Sequence, residues 1–367
     1  MRNITDIRTA YEAITKYDFS VVFIGLIITA LGLMNVYSAT RDSSFTHQMI
    51  FAAIGAVMMI IFTFIDYRKL GRIIYAAYVA NVLLLILVLL IGRSAMGATR
   101  WLSFGFINIQ PAEIMKVTMM LALAKYFSDD INIRGYTLKQ LLVPAIIVMV
   151  PAGLVVIQPD LGSGLLIMFA AFSLFLFVKI RVQSIIILAV AAIITVPIVY
   201  NFALKDYQKK RVITFLNPEL DPKGAGYNSL QSKIAVGSGR LFGKGFGKGS
   251  QTQLNFLPEH HTDFIFSVMG EEHGFLGSFI LLILYAMLFV SGARIASRAG
   301  DKMGVLVAVG CTAIIFWQTF INIGMVIGIM PVVGITLPFM SYGGTSMVVN
   351  FIIIGLLQNI AIRRFMF

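Results

Sequence analysis

Charge is what this sequence has least of. Only 13% of its 367 residues are Asp, Glu, Lys or Arg, against about 25% in a soluble domain. With 58% hydrophobic residues, that shortage excludes an ordinary water-soluble globule and leaves an integral membrane protein. Cysteine is nearly absent. Cys311 stands alone in an apolar run, so there is no disulfide framework and an inert core position is expected. Histidine is limited to four, and no Cys/His grouping has zinc spacing. Neither GxGxxG nor GxxxxGK(S/T) occurs, which argues against a nucleotide site. No convincing internal repeat is present, and only one loop is visibly broken, unlike the paired broken helices of many transporters. The net charge of +12 comes from basic residues that flank apolar runs. That placement is membrane topology, so no nucleic-acid partner is expected.

What is abundant is spanning-length apolar sequence. Ten runs lie at about 19–39, 47–65, 71–91, 111–127, 138–157, 161–178, 184–204, 263–293, 303–330 and 345–362. Each is near the roughly 20 residues needed to cross a bilayer. The expected fold is an all-α integral membrane protein of about ten transmembrane helices, one domain over 1–367. Residues 1–18 form a cytoplasmic N-terminal segment, and 205–262 a large extracytoplasmic loop before the eighth span. Residues 331–344, interrupted by Pro331, Gly334, Pro338, Gly343 and Gly344, form a broken, re-entrant-like outer segment before the tenth. No cleavable leader is expected, because the first run already spans and a second follows soon after. Ten spans put both termini on one side. Loops on that side hold sixteen Lys and Arg, while the short loops opposite hold only Arg41, Arg93 and Arg100. Both termini therefore read as cytoplasmic.

The unusual residues gather on the other side. The stretch 257–274 carries four of the scarce carboxylates and three of the four histidines. If it is helical, Glu259 and Asp263 share a face. Ser267, Gly270, Gly274 and Gly277 then fall within roughly 40° of Asp263 at about 100° per residue. A carboxylate would head a groove almost without side chains, open to a lipid chain or to a neighbouring helix; small residues by themselves favour the helix. At the membrane surface a partly desolvated Asp263 has the chemistry of a general base; a helix N-cap is the plainer reading. Glu259 and His261 are supporting groups or solvated loop residues. Glu113 and Lys116, three apart within the fourth run, are ionisable groups in a membrane helix and hence functional candidates. At that spacing they also pair with each other. Asp160 is either a cap on the sixth span or a partner for Lys116. Arg100-Trp101 is an interfacial anchor or an arginine fork for phosphate. The glycine-lysine stretch 237–249, with Lys244 and Lys248, is either a flexible loop or a set of amides for a pyrophosphate. Arg211 closes a basic run that suits anionic headgroups or snorkelling.

These pieces resemble the SEDS family (shape, elongation, division and sporulation). The matching residues are Arg100-Trp101, Gln110-Pro111-Ala112-Glu113-Ile114-Met115-Lys116, Gln158-Pro159-Asp160-Leu161-Gly162 and Asp206-Tyr207-Gln208-Lys209-Lys210-Arg211. They continue through Asn217-Pro218-Glu219, Gly226-Tyr227-Asn228-Ser229-Leu230-Gln231-Ser232-Lys233, Leu257-Pro258-Glu259-His260-His261-Thr262-Asp263, Pro331-Val332-Val333-Gly334 and Ser341-Tyr342-Gly343-Gly344. They span nearly the whole chain in the family's order, and the Asp206 and Gln231 segments look like its elongation branch. Ala112 stands where relatives often have Ser.

The resemblance implies ten spans and peptidoglycan glycosyltransferase activity on lipid II, a disaccharide-pentapeptide on undecaprenyl pyrophosphate. It implies a class B penicillin-binding protein, a single-span transpeptidase, as partner, with other elongation-complex membrane proteins. The family's essential aspartate falls on Asp263 and its buried pair on Glu113 and Lys116; Lys233 and Ser341 join as supporting residues. The expected mechanism has Asp263 deprotonating the sugar 4-hydroxyl of one lipid II. Arg100, Lys116, Arg211 or the Lys244 loop would offset the leaving pyrophosphate's charge. A divalent cation such as Mg2+ or Mn2+ would serve the same end, and the sequence does not decide it. Two other classes remain open: a lipid-linked precursor flippase, and a non-catalytic scaffold for a transpeptidase.

Overall fold

The computed structural model describes residues 18–40, 43–95, 98–104, 107–130, 135–198, 206–221, 224–254, 256 and 261–364. The first seven apolar runs become α1 (Phe19–Thr40), α2 (Ser43–Phe64), α3 (Tyr67–Ile91), α4 (Pro111–Asp129), α5 (Leu138–Ile157), α6 (Leu161–Phe177) and α7 (Val182–Ile198). The long polar segment contributes α8 (Asp206–Leu216), α9 (Ala225–Ser238) and the single turn α10 (Ser250–Gln253). The last three runs become α11 (Ile265–Ser297), α12 (Lys302–Ile327) and α13 (Gly344–Arg363). Among the described residues, seven helices (α1, α2, α3, α5, α11, α12 and α13) are long and apolar enough to cross a membrane. Of the other three, α4 carries Glu113, Lys116 and Lys125, and α6 and α7 are 17 residues each.

Local chemistry sets the helix ends. Pro111 opens α4, where a missing N–H costs nothing. Asp66, Asp160 and Asp301 precede α3, α6 and α12 and accept from the N–H groups of Arg68, Ser163 and Gly304. Thr137 and Gln140 form a capping box on α5. Helix α12 lies at the centre, packed on α4, α6, α11 and α13, while α13 runs along α2. The last contact is close. A Cβ on Gly355 would stand 2.5 Å from Met59 O, so only glycine permits this backbone approach. On the periphery Ile60, Leu90 and Ile193 point outward, exposed, as side chains do when hydrocarbon is the solvent.

The structure departs from the helical expectation in two places. First, the loop after α3 is a small antiparallel sheet, β1 (Arg93–Ala95), β2 (Ala98–Phe104) and β3 (Ile107–Ile109), in the order β1-β2-β3. A stretch too short for a helix satisfies its backbone by cross-strand pairing. It carries Arg100 and Trp101 over the start of α4, against which β2 packs.

Second, the start of the eighth span is not a continuous helix. Residues 261–264 form a turn, and α11 begins at Ile265. Gly274 then breaks the helix at φ 66°, ψ −162°. The groove from Asp263 to Gly277, read as open to a lipid chain or to a neighbouring helix, is filled by the chain itself. A Cβ on Gly270 would lie 3.1 Å from the Val236 side chain, and one on Gly274 2.3 Å from Gly243 N. A break of this kind leaves two carbonyls and two N–H groups without their helical partners, which is costly for buried backbone. The 240–245 loop meets all four. Lys244 N and Gly245 N donate to Glu271 O and Glu272 O, both at 3.0 Å, and Phe275 N and Leu276 N donate to Arg240 O and Leu241 O at 2.8 and 3.1 Å. The small residues pack against α9 at Gly270, as the helix reading has it, and against the 240–245 loop at Gly274.

Candidate active site

Helices α4, α6, α11 and α13 begin around one cavity of about 530 Å³. Helix N-termini carry partial positive charge from unpaired N–H groups. The surroundings of the cavity thus favour an anion before any side chain is counted. Its walls include Arg100, Trp101, Glu113, His261, Asp263 and Tyr342, so residues spread over 243 positions of the chain meet at one place.

Asp263 sits in the turn ahead of α11. Three successive carbonyls of that turn are held from outside it. His261 O accepts from Tyr342 N at 2.9 Å, Thr262 O from Ser341 Oγ at 2.6 Å, and Asp263 O from Asn322 Nδ2 at 2.8 Å. The Ser341 hydroxyl also accepts from Leu337 N at 2.8 Å. Ser341 is thereby a buried tie between the broken 331–344 segment and the turn. Gly334, at φ 78°, brings that segment beneath the carboxylate; a Cβ there would lie 3.2 Å from Asp263 Oδ2. The His261 ring lies 5.7 Å from that of Tyr342.

Glu113, which lines the same cavity, stands in the first turn of α4. Its Oε2 accepts from Lys116 Nζ at 2.7 Å, and Lys116 is fully buried. Two opposite charges one helical turn apart neutralise each other where an isolated charge would be prohibitive. Asp160, also buried, caps α6 through Ser163 N at 3.2 Å, accepts from Gln110 Nε2 at 3.1 Å and lies 3.8 Å from Arg100 Nε. The cap reading holds, and the ionic partner is Arg100 rather than Lys116. Arg100 also donates to Pro159 O. Its guanidinium is fixed at the wall by Asp160 and Pro159, with part of it still facing the cavity.

Other candidates lie further out. Arg211 donates to Val333 O at 3.3 Å, next to Gly334. Lys233 lies across Gly328 at the end of α12, where an added Cβ would clash with its Cε. Lys244 pairs with the buried Glu271 at 2.7 Å, and Ser250 Oγ and Gln251 N donate to the same Oε1. The lysine is spent on a structural carboxylate and is not among the cavity's lining residues. Glu259 lies outside the described residues. Among the described residues no group of three or more His, Cys, Asp or Glu forms a metal cage. Residue-by-residue reading missed Asn322 and Gln48. Gln48 donates to Ser341 O at 2.9 Å and accepts from Gly343 N at 3.1 Å. Buried amides in apolar helices were the available signal. The assembled site offers a carboxylate, a fixed guanidinium and four helix N-termini, which suits proton removal beside a developing anion.

Comparison with known proteins gives a consistent neighbourhood. A family profile of FtsW, RodA and SpoVE, described as "Cell cycle protein", matches residues 14–365. The chain is 42% identical over 314 residues to "Peptidoglycan glycosyltransferase MrdB" of Escherichia coli (strain K12), covering 85% of this chain and 84% of that protein. Among solved structures it is similar to a chain from a peptidoglycan synthase complex described as coordinating polymerization and crosslinking. The TM-score there is 0.83 at 31% identity, over 95% of this chain and 98% of the other. It is also similar to the rod shape determining protein RodA of Thermus thermophilus, with TM-score 0.72, 29% identity, and 95% and 98% coverage.

Proposed function

Because this chain belongs to the FtsW, RodA and SpoVE family of cell cycle proteins, we infer that it is a peptidoglycan glycosyltransferase of cell elongation, a multi-pass bacterial membrane protein. Relatives matched over most of their length carry the glycosyltransferase name, which favours the enzyme over the flippase and scaffold readings. The cavity is assigned to the extracytoplasmic face. Sixteen basic residues at the opposite end of the bundle, against three in the short loops at this one, support that orientation.

One observation carries the chemistry: the Asp263 carboxylate and the Arg100 guanidinium line the same cavity. Lipid II enters from the outer leaflet. Asp263 takes the proton of the acceptor sugar's 4-hydroxyl. The freed oxygen bonds to the anomeric carbon of the growing strand as the bond to undecaprenyl pyrophosphate breaks, inverting that centre. The departing pyrophosphate keeps the electron pair, and Arg100 with the surrounding helix N-termini offsets its charge. Lys116 contributes less than its charge implies, since Glu113 neutralises it at 2.7 Å. A pyrophosphate leaves without a protein acid, unlike the alcohol of a glycoside. The polymerase works beside a class B penicillin-binding protein that crosslinks its product; the similarity to a complex described by both activities supports that pairing.

The test uses purified protein, alone and with the transpeptidase, given labelled lipid II and read on a gel. Asp263→Ala is expected to make no glycan strands while remaining folded by size exclusion and thermal unfolding. Strand formation at the wild-type rate would remove the proposed base.

A further inference from the structure

We propose that Asn322, on α12, is the positioning residue of the catalytic turn. Its carboxamide sets the place of the Asp263 carboxylate over the floor of the cavity. The inference rests on the reading of Asp263 as base.

Asn322 is fully buried, five residues before the end of α12. Its Nδ2 has two protons, and both are used. One goes to Asp263 O at 2.8 Å and the other to Ile335 O at 2.7 Å. The orientation of the amide follows from chemistry, because both partners are carbonyls and only the NH2 end can face them. Its Oδ1 meets no donor among the described residues. The side chain is therefore held there by its two donors.

Those two carbonyls belong to the two halves of the site. Asp263 bears the base. Ile335 follows Gly334, whose backbone lies beneath the carboxylate at the approach already described. A single planar group thus spans from the base's own backbone to the segment beneath the carboxylate, and fixes their separation. It is anchored on α12, a largely buried helix at the centre of the bundle, rather than on a loop. The neighbouring ties, Ser341 Oγ on Thr262 O and Tyr342 N on His261 O, both come from the same broken segment and move with it. Asn322 alone of the three links turn and segment to a third, rigid element. A displacement of about 1 Å in a catalytic group costs on the order of a hundredfold in rate. A buried amide that holds the base to its floor is thus worth more to turnover than to substrate affinity.

The experiment measures kcat and KM for lipid II polymerisation, with thermal unfolding in detergent, for wild type, Asn322→Leu, Asn322→Asp, Asn322→Gln and Asp263→Ala. Asn322→Leu keeps the branched shape of the side chain and lacks both donors; Asn322→Asp keeps nearly the native volume and lacks both when ionised. Both are expected to lower kcat by about a hundredfold while KM stays within about threefold. Asn322→Gln, which keeps the NH2, should recover at least about tenfold of that loss. A kcat near wild type in folded Asn322→Leu overturns the proposal. So does a change confined to KM, or the absence of recovery in Asn322→Gln. Failure of both donor-less variants to fold also overturns it, because Asn322 would then hold the bundle rather than the base. Asp263→Ala separates the two levels. If it is inactive while Asn322→Leu is not, only the clamp is wrong; if Asp263→Ala is active, the base assignment itself has failed.

Discussion

Lys116 Nζ lies 2.7 Å from Glu113 Oε2, with the ammonium wholly enclosed and the carboxylate at the wall of the cavity. One turn of α4 carries both charges across the boundary between the site and the bundle interior. The pair is held by mutual need: either charge by itself, at that depth, has nothing to offset its desolvation.

Glu113→Ala or Lys116→Ala should therefore destabilise the folded protein by about 3–5 kcal/mol. The double variant Glu113→Gln with Lys116→Met is expected to recover most of that. Thermal unfolding of the three in the same detergent checks the cycle. A double variant as unstable as the sum of the singles would show that the two charges act separately.

Lys244 and Arg100 should divide cleanly. Lys244→Ala removes a charged donor from the buried Glu271, so the melting temperature is expected to fall while KM for lipid II stays within about twofold. Arg100→Ala removes a charge-assisted hydrogen bond worth about 1.5–3 kcal/mol from the wall of the cavity, so KM should rise by about tenfold or more. Steady-state kinetics beside melting curves distinguish the two. A raised KM in Lys244→Ala would return that lysine to the substrate.

The break in α11 requires glycine. Gly274 has φ 66°, and a Cβ would press on Gly243 N at 2.3 Å. Gly274→Ala is expected to cost about 2 kcal/mol or more from backbone strain and overlap. It should also loosen the 240–245 loop, seen as faster limited proteolysis there. Unchanged cleavage and melting would mean that the loop does not depend on the break.

Orientation can be read with thiols, because Cys311, the chain's single cysteine, is buried and should stay silent. Phe242→Cys, at a position 75% exposed near the cavity end, should react with a membrane-impermeant maleimide in intact spheroplasts. Arg298→Cys, at the far end of α11, should react only after permeabilisation. The reverse pattern would turn the site to the cytoplasm and end the proposed use of an outer-leaflet lipid.

Much of this protein is legible along the chain because a bilayer judges hydrophobicity locally, in runs of roughly 20 residues. That is enough to place every apolar run on a helix. It is also enough to single out Asp263, Glu113, Lys116, Asp160 and Arg100, since charges are conspicuous where charge is scarce. Asp160 as a cap and the Glu113–Lys116 pair follow from spacings of three, which are local too. The tertiary structure decided the rest. The glycines after Asp263 are compatible with lipid, helix or loop, and only folding shows the 240–245 loop paired to the groups stranded at Gly274. Lys244 looked available until the buried Glu271 was found beside it. Asn322 and Ser341 are 59 and 79 residues from the carbonyls they hold. No periodicity relates positions so far apart, because which donor meets which carbonyl depends on how the helices pack and not on any stretch of one.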